Sequence, residues 1–208
     1  MIMGQRTQML IIKHSRDGQK KVEFYHHQWG YGRNMFLAVM FLYMRYYGTS
    51  SLDYCTGAGK PEERRAAMER DFIFEVGNLD GMGGFIHENT GPYWKERWQD
   101  ILDRADINDI DSIYDACEMG DNNNGWCVVD ITPSENRYGN PKFKVGWLLG
   151  REDAYGYRES GRRDGWVTAE KYAKSHGGGA YSDGEFVRMY LSFCGYFGIK
   201  DIAGDPRC

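Results

Sequence analysis

The amino-acid sequence predicts an α+β fold in which an antiparallel sheet, built from two hairpins, packs against about six helices. Strand-like segments come in two pairs, one N-terminal and one central, and helix-like segments are clustered between and after these pairs. That order is typical of an antiparallel sheet rather than of a repeating β-α-β unit. Because no internal repeat or linker-like segment interrupts the 208 residues, we expect one globular domain over residues 1–208.

The N-terminal hairpin is predicted at Thr7–His14 and Lys21–Gln28, two segments rich in strand formers. The Asp-Gly pair at 17–18 between them is a favoured two-residue hairpin loop. With that loop, Ile11 lies opposite Phe24, and both faces of the hairpin are mostly apolar, so we expect a central position in the sheet. The two faces would hold Met9, Ile11, Val22 and Phe24 on one side and Leu10, Ile12 and Tyr25 on the other.

The first helix is predicted over about Asn34–Tyr47 and is apolar nearly all round. Such a helix packs in the middle of a domain. We therefore expect its apolar side chains to be mostly buried, namely Phe36, Leu37, Val39, Met40 and Phe41. Five further helices are predicted over about 61–77, 91–105, 109–120, 168–173 and 183–197, and the central strands over 125–132 and 142–149.

Composition argues against several classes of function. The net charge of −4 disfavours general nucleic-acid binding, which needs a basic face. The apolar run Met35–Met44 is too short to span a bilayer, so we expect no membrane contact. An odd number of cysteines without CxxC spacing predicts free thiols and a cytoplasmic setting. The five cysteines are Cys55, Cys117, Cys127, Cys194 and Cys208, of which Cys117, Cys127 and Cys194 are expected in the core.

The segment Phe24–Asn34 is the strongest candidate site, because a strand-like run ends there and a helix-like run begins. Backbone N–H groups at a helix N-terminus favour anions, and loops often carry binding residues. We expect a ligand or partner to contact these side chains: His26, His27, Trp29, Tyr31 and Arg33. The glycines at 30 and 32 do not complete a dinucleotide-binding fingerprint, because Met35 occupies the third glycine position and a hairpin precedes them.

A second candidate is the polar stretch from residue 150 to residue 165, which has little apolar content and no periodicity. Long loops of this kind are often functional. Arg158, Arg162 and Arg163 lie in it among aromatic residues, a combination typical of recognition surfaces. Acidic residues nearly neutralise the arginines, so the alternative interpretation is a solvated loop with local ion pairs.

No segment predicts a metal site or a cofactor. Gly57–Lys60 lacks the first glycine and the final Ser or Thr of a phosphate-binding loop. Asp121–Gly125 offers four oxygen-bearing side chains, but only one is charged, and the same residues suit a tight turn, which we favour over calcium binding. His87 and Glu88 are adjacent acid–base groups in a Gly-rich stretch, without a recognisable catalytic signature around them.

Three segments carry a resemblance to known sequences: MGQRTQ at 3–8, YHHQWGYG at 25–32 and GDNNNG at 120–125. On these segments the chain resembles uncharacterised proteins of bacteriophages and integrated mobile elements, and the similarity runs along most of its length. The resemblance implies a bacterial cytoplasm as the setting. It also implies an accessory role, such as interaction with host or defence machinery.

Taken together, these observations predict a binding protein that engages a host or phage protein, such as a defence component, or a small nucleotide-like anion. The alternative is a small enzyme acting on a nucleotide or phosphoester through histidine and arginine residues near 25–34, with His87 as a further candidate. A structural assembly protein is the third interpretation. A broad exposed apolar patch would favour interaction, whereas an acceptor-rich cleft around a histidine would favour the enzyme.

Overall fold

A computed structural model describes residues 7–27, 32–46, 85–87, 99–117, 125–135, 140–150, 165–175 and 183–204. Within these residues the chain is α+β, as predicted, with six strands and five helices. The strands are β1 (Thr7–His14), β2 (Lys20–His27), β3 (Phe85–His87), β4 (Trp126–Thr132), β5 (Lys142–Leu148) and β6 (Lys200–Asp201). The helices are α1 (Gly32–Tyr46), α2 (Gln99–Arg104), α3 (Ile110–Cys117), α4 (Ala169–Ser175) and α5 (Asp183–Phe197).

The six strands form one mixed sheet in the order β3-β2-β1-β4-β5-β6. Both predicted hairpins are present, because β1 pairs with β2 and β4 pairs with β5 in the antiparallel sense. The prediction of a purely antiparallel sheet is wrong, since β4 is parallel to β1 and β6 is parallel to β5. Both of these strands follow helices rather than tight turns, and a long connection allows a strand to enter the sheet in parallel.

The N-terminal hairpin has a three-residue loop, Arg16–Gly18, instead of the predicted two-residue loop. The Ser15 N–H donates to the Gln19 carbonyl at 2.9 Å, and the Gly18 N–H donates to the Ser15 carbonyl at 3.2 Å. Gly18 has a φ of 84°, the left-handed conformation that follows a type I turn in three-residue hairpin loops. One more residue in the loop shifts the pairing of the two strands by one position.

This shift corrects the predicted faces of the hairpin. Leu10, and not Ile11, lies opposite Phe24. A shift of one residue moves the side chains of one strand to the other face relative to its partner. In the structure, Met9, Ile11 and Tyr25 share one apolar layer, and Leu10, Ile12, Val22 and Phe24 share the other.

Helices cover both faces of the sheet. The layer that contains Ile11 packs against α1, α4 and α5, and the layer that contains Leu10 packs against α2 and α3. β1 and β4 therefore lie between two helical layers, in keeping with the apolar side chains on both of their faces. The predicted central position of the N-terminal hairpin is confirmed for β1, which has three strands on the side of β4 and two on the side of β2.

The helix α1 is buried on most of its circumference but not on all of it. Phe36 and Val39 are fully buried, and Met40 is buried as well. Leu37 is half-buried, and 57% of Phe41 is exposed. The prediction of burial is therefore wrong for Phe41, because α1 lies in an outer layer and turns one side away from the sheet.

The other predicted elements agree with the structure to within a few residues wherever they are described. The predicted helix at 61–77 lies outside the described residues, so five helices are described where about six were expected. β3 and β6 are absent from the prediction, because strands of three and two residues are too short to show an alternating pattern.

Three of the cysteines are buried free thiols, as predicted: Cys117, Cys127 and Cys194. Burial raises the pKa of the Cys127 thiol well above its ordinary value, which keeps it protonated and unreactive. Cys55 and Cys208 lie outside the described residues.

The longest of the described helices, α1 and α5, have 15 residues each. A transmembrane helix needs about 20 predominantly apolar residues. Among the residues that the structure describes, no helix is long and apolar enough to cross a membrane.

Two substitutions test the orientation of α1. Val39→Asp should abolish soluble folding, because an unpaired buried carboxylate costs several kcal/mol, on the order of the whole free energy of unfolding. Phe41→Asp should change the free energy of unfolding by no more than about 0.5 kcal/mol, because its side chain is exposed. The loss of unfolding free energy caused by Leu37→Asp should lie between those of the other two substitutions, because Leu37 is half-buried. Thermal melting by circular dichroism measures all three, and a folded Val39→Asp variant would contradict the packing described for α1.

Candidate functional site

Of the predicted site at residues 24–34, the structure describes residues 24–27 and 32–34, and residues 28–31 lie outside the described ranges. β2 ends at His27 and α1 begins at Gly32, so a strand and a helix meet there, as predicted. The side chains of His26, His27 and Arg33 lie outside the described residues. Trp29, Tyr31, Arg158, Arg162 and Arg163 also lie outside them, as does the loop at 121–124. Their roles as ligand-binding residues stay predictions.

β3, which belongs to the Gly-rich stretch around His87, pairs with the last residues of β2, just before the junction of β2 and α1. The backbone of His87 pairs with Tyr25, and the backbone of Ile86 pairs with His26. Neighbouring strands lie about 4.8 Å apart. The sheet thus places two histidine-bearing segments, 25–27 and 85–87, side by side through their main chains.

A cluster of polar side chains lies at the edge of the sheet where β1 and β4 both end. His14 Nε2 lies 2.7 Å from Asp130 Oδ2, with 33% of the His14 side chain and 7% of the Asp130 side chain exposed. The Thr132 hydroxyl donates a hydrogen bond to Asp130 Oδ1 at 3.2 Å. A buried carboxylate therefore fixes the orientation of a partly exposed imidazole.

This hydrogen bond determines which nitrogen of His14 carries the proton. A carboxylate accepts hydrogen bonds, so Nε2 holds the hydrogen that points at Asp130, and Nδ1 holds the lone pair of the neutral ring. In the described part of the chain, Nδ1 has no hydrogen-bond partner. In hydrolytic triads a carboxylate also orients a histidine, but it accepts from Nδ1–H and leaves Nε2 to react, so the two nitrogens have the opposite roles at His14.

The α2–α3 loop, Ala105–Asp109, is attached to this edge of the sheet by a lysine on each side. Lys20 Nζ donates to the Ala105 carbonyl at 3.0 Å. Lys144 Nζ donates to Asn108 Oδ1 at 3.2 Å. Both acceptors are uncharged, so neither of these two hydrogen bonds is an ion pair.

Asp106 adds a second carboxylate, close enough to His14 for the two side chains to interact electrostatically. It accepts hydrogen bonds from the backbone and side-chain N–H groups of Asn108 at 2.9 and 2.8 Å. The bond from the Asn108 backbone is the largest cause of the lowered pKa of Asp106, and the nearby charges of Lys20 and His14 lower it further. No group of three or more His, Cys, Asp or Glu side chains placed to hold a metal ion occurs in the described ranges.

A separate network of charges is buried on the opposite face of the sheet. Lys13 Nζ lies 2.5 Å from Glu23 Oε2, and their side chains are only 2% and 5% exposed. Lys21 Nζ lies 2.6 Å from Glu23 Oε1, and the Tyr25 hydroxyl donates to Oε2 at 2.9 Å. The Glu23 carboxylate thus holds three hydrogen-bond donors from two strands, which satisfies its buried charge.

Burial and the neighbouring charges shift the pKa values of Glu23 and Lys13 in opposite directions. Burial would raise the pKa of Glu23, but the charge of Lys13 and the hydrogen bonds from Lys13 and Lys21 outweigh it and lower that pKa. Burial lowers the pKa of Lys13, and the Glu23 carboxylate only partly opposes this shift. Glu23 is therefore ionised because Lys13 is beside it.

The four large apolar side chains that are exposed in the described residues all lie on α1 and α5. They are Phe41 (57% exposed), Met44 (46%), Met189 (45%) and Tyr196 (82%). Together with half-buried Leu37 and Phe193 they form one stripe on each helix, at positions i, i+4 and i+7, which lie on the same side of a helix. The stripes are Leu37, Phe41 and Met44 on α1, and Met189, Phe193 and Tyr196 on α5.

The two helices lie side by side and run in the same direction. The rings of Phe36 and Tyr190 have centroids 5.2 Å apart. Further along both helices, Tyr43 contacts Phe193 at 5.6 Å and Phe197 at 4.9 Å. The stripes therefore lie at similar heights along the two helices, and we call the two stripes together the apolar helix surface.

Comparison with known proteins adds no relative from which a function could be transferred. No family model matches the chain, and neither a curated protein nor a solved structure matches it. In any fold, function depends on the chemistry and geometry of particular residues.

Sequence reasoning missed His14 and Asp130 because it took the sheet to be antiparallel. If β1 and β4 were antiparallel, their C-terminal ends would lie at opposite edges of the sheet, and the two side chains could not meet. The parallel pairing brings both ends to one edge. The signal in the sequence was a histidine and an aspartate, each near the end of an apolar strand.

The buried network predicts a large effect of Glu23→Gln. Removing the carboxylate charge leaves the Lys13 ammonium buried without its ion-pair partner, which should cost about 3–5 kcal/mol of the free energy of unfolding. The control is Glu135→Gln, which breaks an exposed ion pair with Lys142 and should leave stability unchanged. Urea unfolding measures both, and equal midpoints for the two variants would contradict the burial of the network.

The same network predicts the direction of a pH effect. The pKa of Glu23 is lower in the folded chain than its ordinary value of 4.5, so the unfolded chain takes up the proton first as the pH falls. Its contribution to stability is complete above pH 4.5 and is lost as the pH falls through the lower folded-state pKa. Glu23→Gln should remove this part of the acid dependence, measured as the urea midpoint against pH.

Proposed function

We propose that the protein is a binding protein that docks a partner protein on the apolar helix surface. The observation that carries the proposal is the concentration of exposed apolar side chains: all four in the described residues lie on two adjacent helices. Single exposed apolar residues are common on any protein, but clusters of them mark interaction surfaces. Aromatic residues and methionine, which make up this cluster, are also enriched at interfaces.

The geometry of the surface suits an amphipathic helix of the partner. The two apolar stripes run along parallel helices, and the apolar face of a partner helix can lie lengthwise against them. The partner helix would place apolar side chains at i, i+3, i+4 and i+7 against Phe41 and Met44 of α1 and against Met189 and Tyr196 of α5.

The surface is supported by a tightly packed aromatic layer beneath it. Tyr43 lies 5.0 Å from Phe143 of β5, and Phe36 lies 4.7 Å from Trp147 of the same strand, measured between ring centroids. These rings fix α1 against the sheet. A rigid docking surface loses little conformational entropy on binding, so more of the contact energy appears as affinity.

The setting that we propose is the cytoplasm of a bacterial host, with an accessory role in phage or mobile-element biology and a host or defence component as partner. The resemblance of the sequence to phage and mobile-element proteins supports that setting, and the net charge of −4 favours a protein over a nucleic acid as partner. A nucleotide-like anion, or an enzyme built on His26, His27 and Arg33, would depend on side chains outside the described residues.

The double substitution Phe41→Ser with Tyr196→Ser tests the docking surface. Both side chains are exposed, so the melting temperature should stay close to that of the wild type. Loss of a central apolar anchor costs about 2 kcal/mol or more, so the affinity for the partner should fall at least about 30-fold.

Partners would be captured from an extract of the bacterial host with the wild-type protein, identified by mass spectrometry, and measured with purified components. Lys171→Ser with Asp103→Ser is the matched control, because both residues are exposed on helices outside the apolar helix surface. If the Phe41 and Tyr196 variant binds the captured partner as tightly as the control does, docking on this surface is refuted.

A further inference from the structure

His14 has one ring nitrogen engaged and the other available. Nε2 donates to Asp130 Oδ2 at 2.7 Å, while Nδ1 has no hydrogen-bond partner in the described ranges. One third of the side chain is exposed, so a small molecule can reach the ring. The lone pair of a neutral imidazole acts as a nucleophile when a neighbouring group stabilises the ring.

Asp130 is placed to stabilise the charge that forms when Nδ1 attacks. The imidazole ring becomes cationic as it forms a new bond, and its Nε2–H becomes a stronger donor. Asp130 faces this N–H, has 7% of its side chain exposed, and accepts a hydrogen bond from the Thr132 hydroxyl. A carboxylate that is fixed and shielded from water stabilises such a cation more strongly than an exposed one.

Two lysines supply positive charge for an anionic group at the same edge. Lys20 lies directly opposite His14 in the pairing of β1 with β2. Lys144 lies directly opposite Asp130 in the pairing of β4 with β5. Both donate to uncharged acceptors of the α2–α3 loop, so their charges can attract a phosphate.

We propose that His14 accepts a phosphoryl group at Nδ1 from a small acyl phosphate. The Nδ1 lone pair forms an N–P bond, the P–O bond to the acyl group breaks, and the carboxylate of the donor leaves with that electron pair. The proton on Nε2 stays in the hydrogen bond to Asp130. One phosphohistidine and one carboxylate are formed for each acyl phosphate consumed.

This site does not depend on the docking surface proposed above. His14 and Asp130 lie on the face of the sheet that packs against α2 and α3, because they alternate with Lys13 and Val129 of the other layer. The apolar helix surface lies on α1 and α5, which cover the opposite face. Failure of either proposal leaves the other in place.

Acetyl phosphate is the probe for the first test. The folded protein, incubated with it, should gain one acid-labile phosphoryl group by intact-protein mass spectrometry, assigned to Nδ1 of His14 by ³¹P NMR and peptide mapping. His14→Asn should lose the label. Absence of labelling, labelling at Nε2, or undiminished labelling of His14→Asn would each overturn the proposal.

Two further variants test the charges around the ring. Asp130→Asn should slow labelling about tenfold or more, because the charge-assisted hydrogen bond to Nε2–H is lost. Asp106→Asn should accelerate labelling, because it removes a negative charge that repels the phosphate. Asp106 is exposed, so this variant still decides the outcome if Asp130→Asn does not fold. Labelling of Asp106→Asn at the wild-type rate or slower would contradict the claim that the charges around His14 govern the approach of the phosphate.

Discussion

The parallel pairing of β1 with β4 is the interaction on which the rest of the structure depends. Residues Gln8–Lys13 pair without interruption with residues Trp126–Ile131. In the described part of the chain, this is the strand pairing that joins the N-terminal hairpin to the central one. Both strands are apolar on both faces and are fully buried along most of their length. Such continuous apolar runs are what a parallel pair between two helical layers requires.

The two faces of this pairing carry different chemistry. On one face, the layer that contains Ile11 and Val129 supports α1 and α5, whose outer sides form the apolar helix surface. On the other face, the strand ends bring His14 and Asp130 within hydrogen-bond distance. The same pairing therefore supports the surface that we propose for a protein partner and, across the sheet, the imidazole that Asp130 orients. The two can act without competing for space.

The sequence predicted the type and place of the long elements well, because apolar periodicity and turn residues are local signals. It could not predict the direction of β4 relative to β1, since the long connection between them leaves both directions open. The hairpin register failed by one position because Arg16 joins the loop, a choice set by turn geometry. The exposure of Phe41 depends on which neighbours cover α1. His14 and Asp130 meet only because β1 and β4 are parallel. A prediction that took the sheet to be antiparallel could not find this site.

Nuclear Overhauser contacts between the amide and α protons of β1 and β4 test the central claim most directly. The parallel register places Leu10 beside Val128 and Ile12 beside Asp130, so contacts should rise together along the two strands. Contacts in the opposite order, with Leu10 near Asp130 and Ile12 near Val128, would show an antiparallel pair. That result, or β1 without any contact to β4, would contradict both the mixed sheet and the meeting of His14 with Asp130.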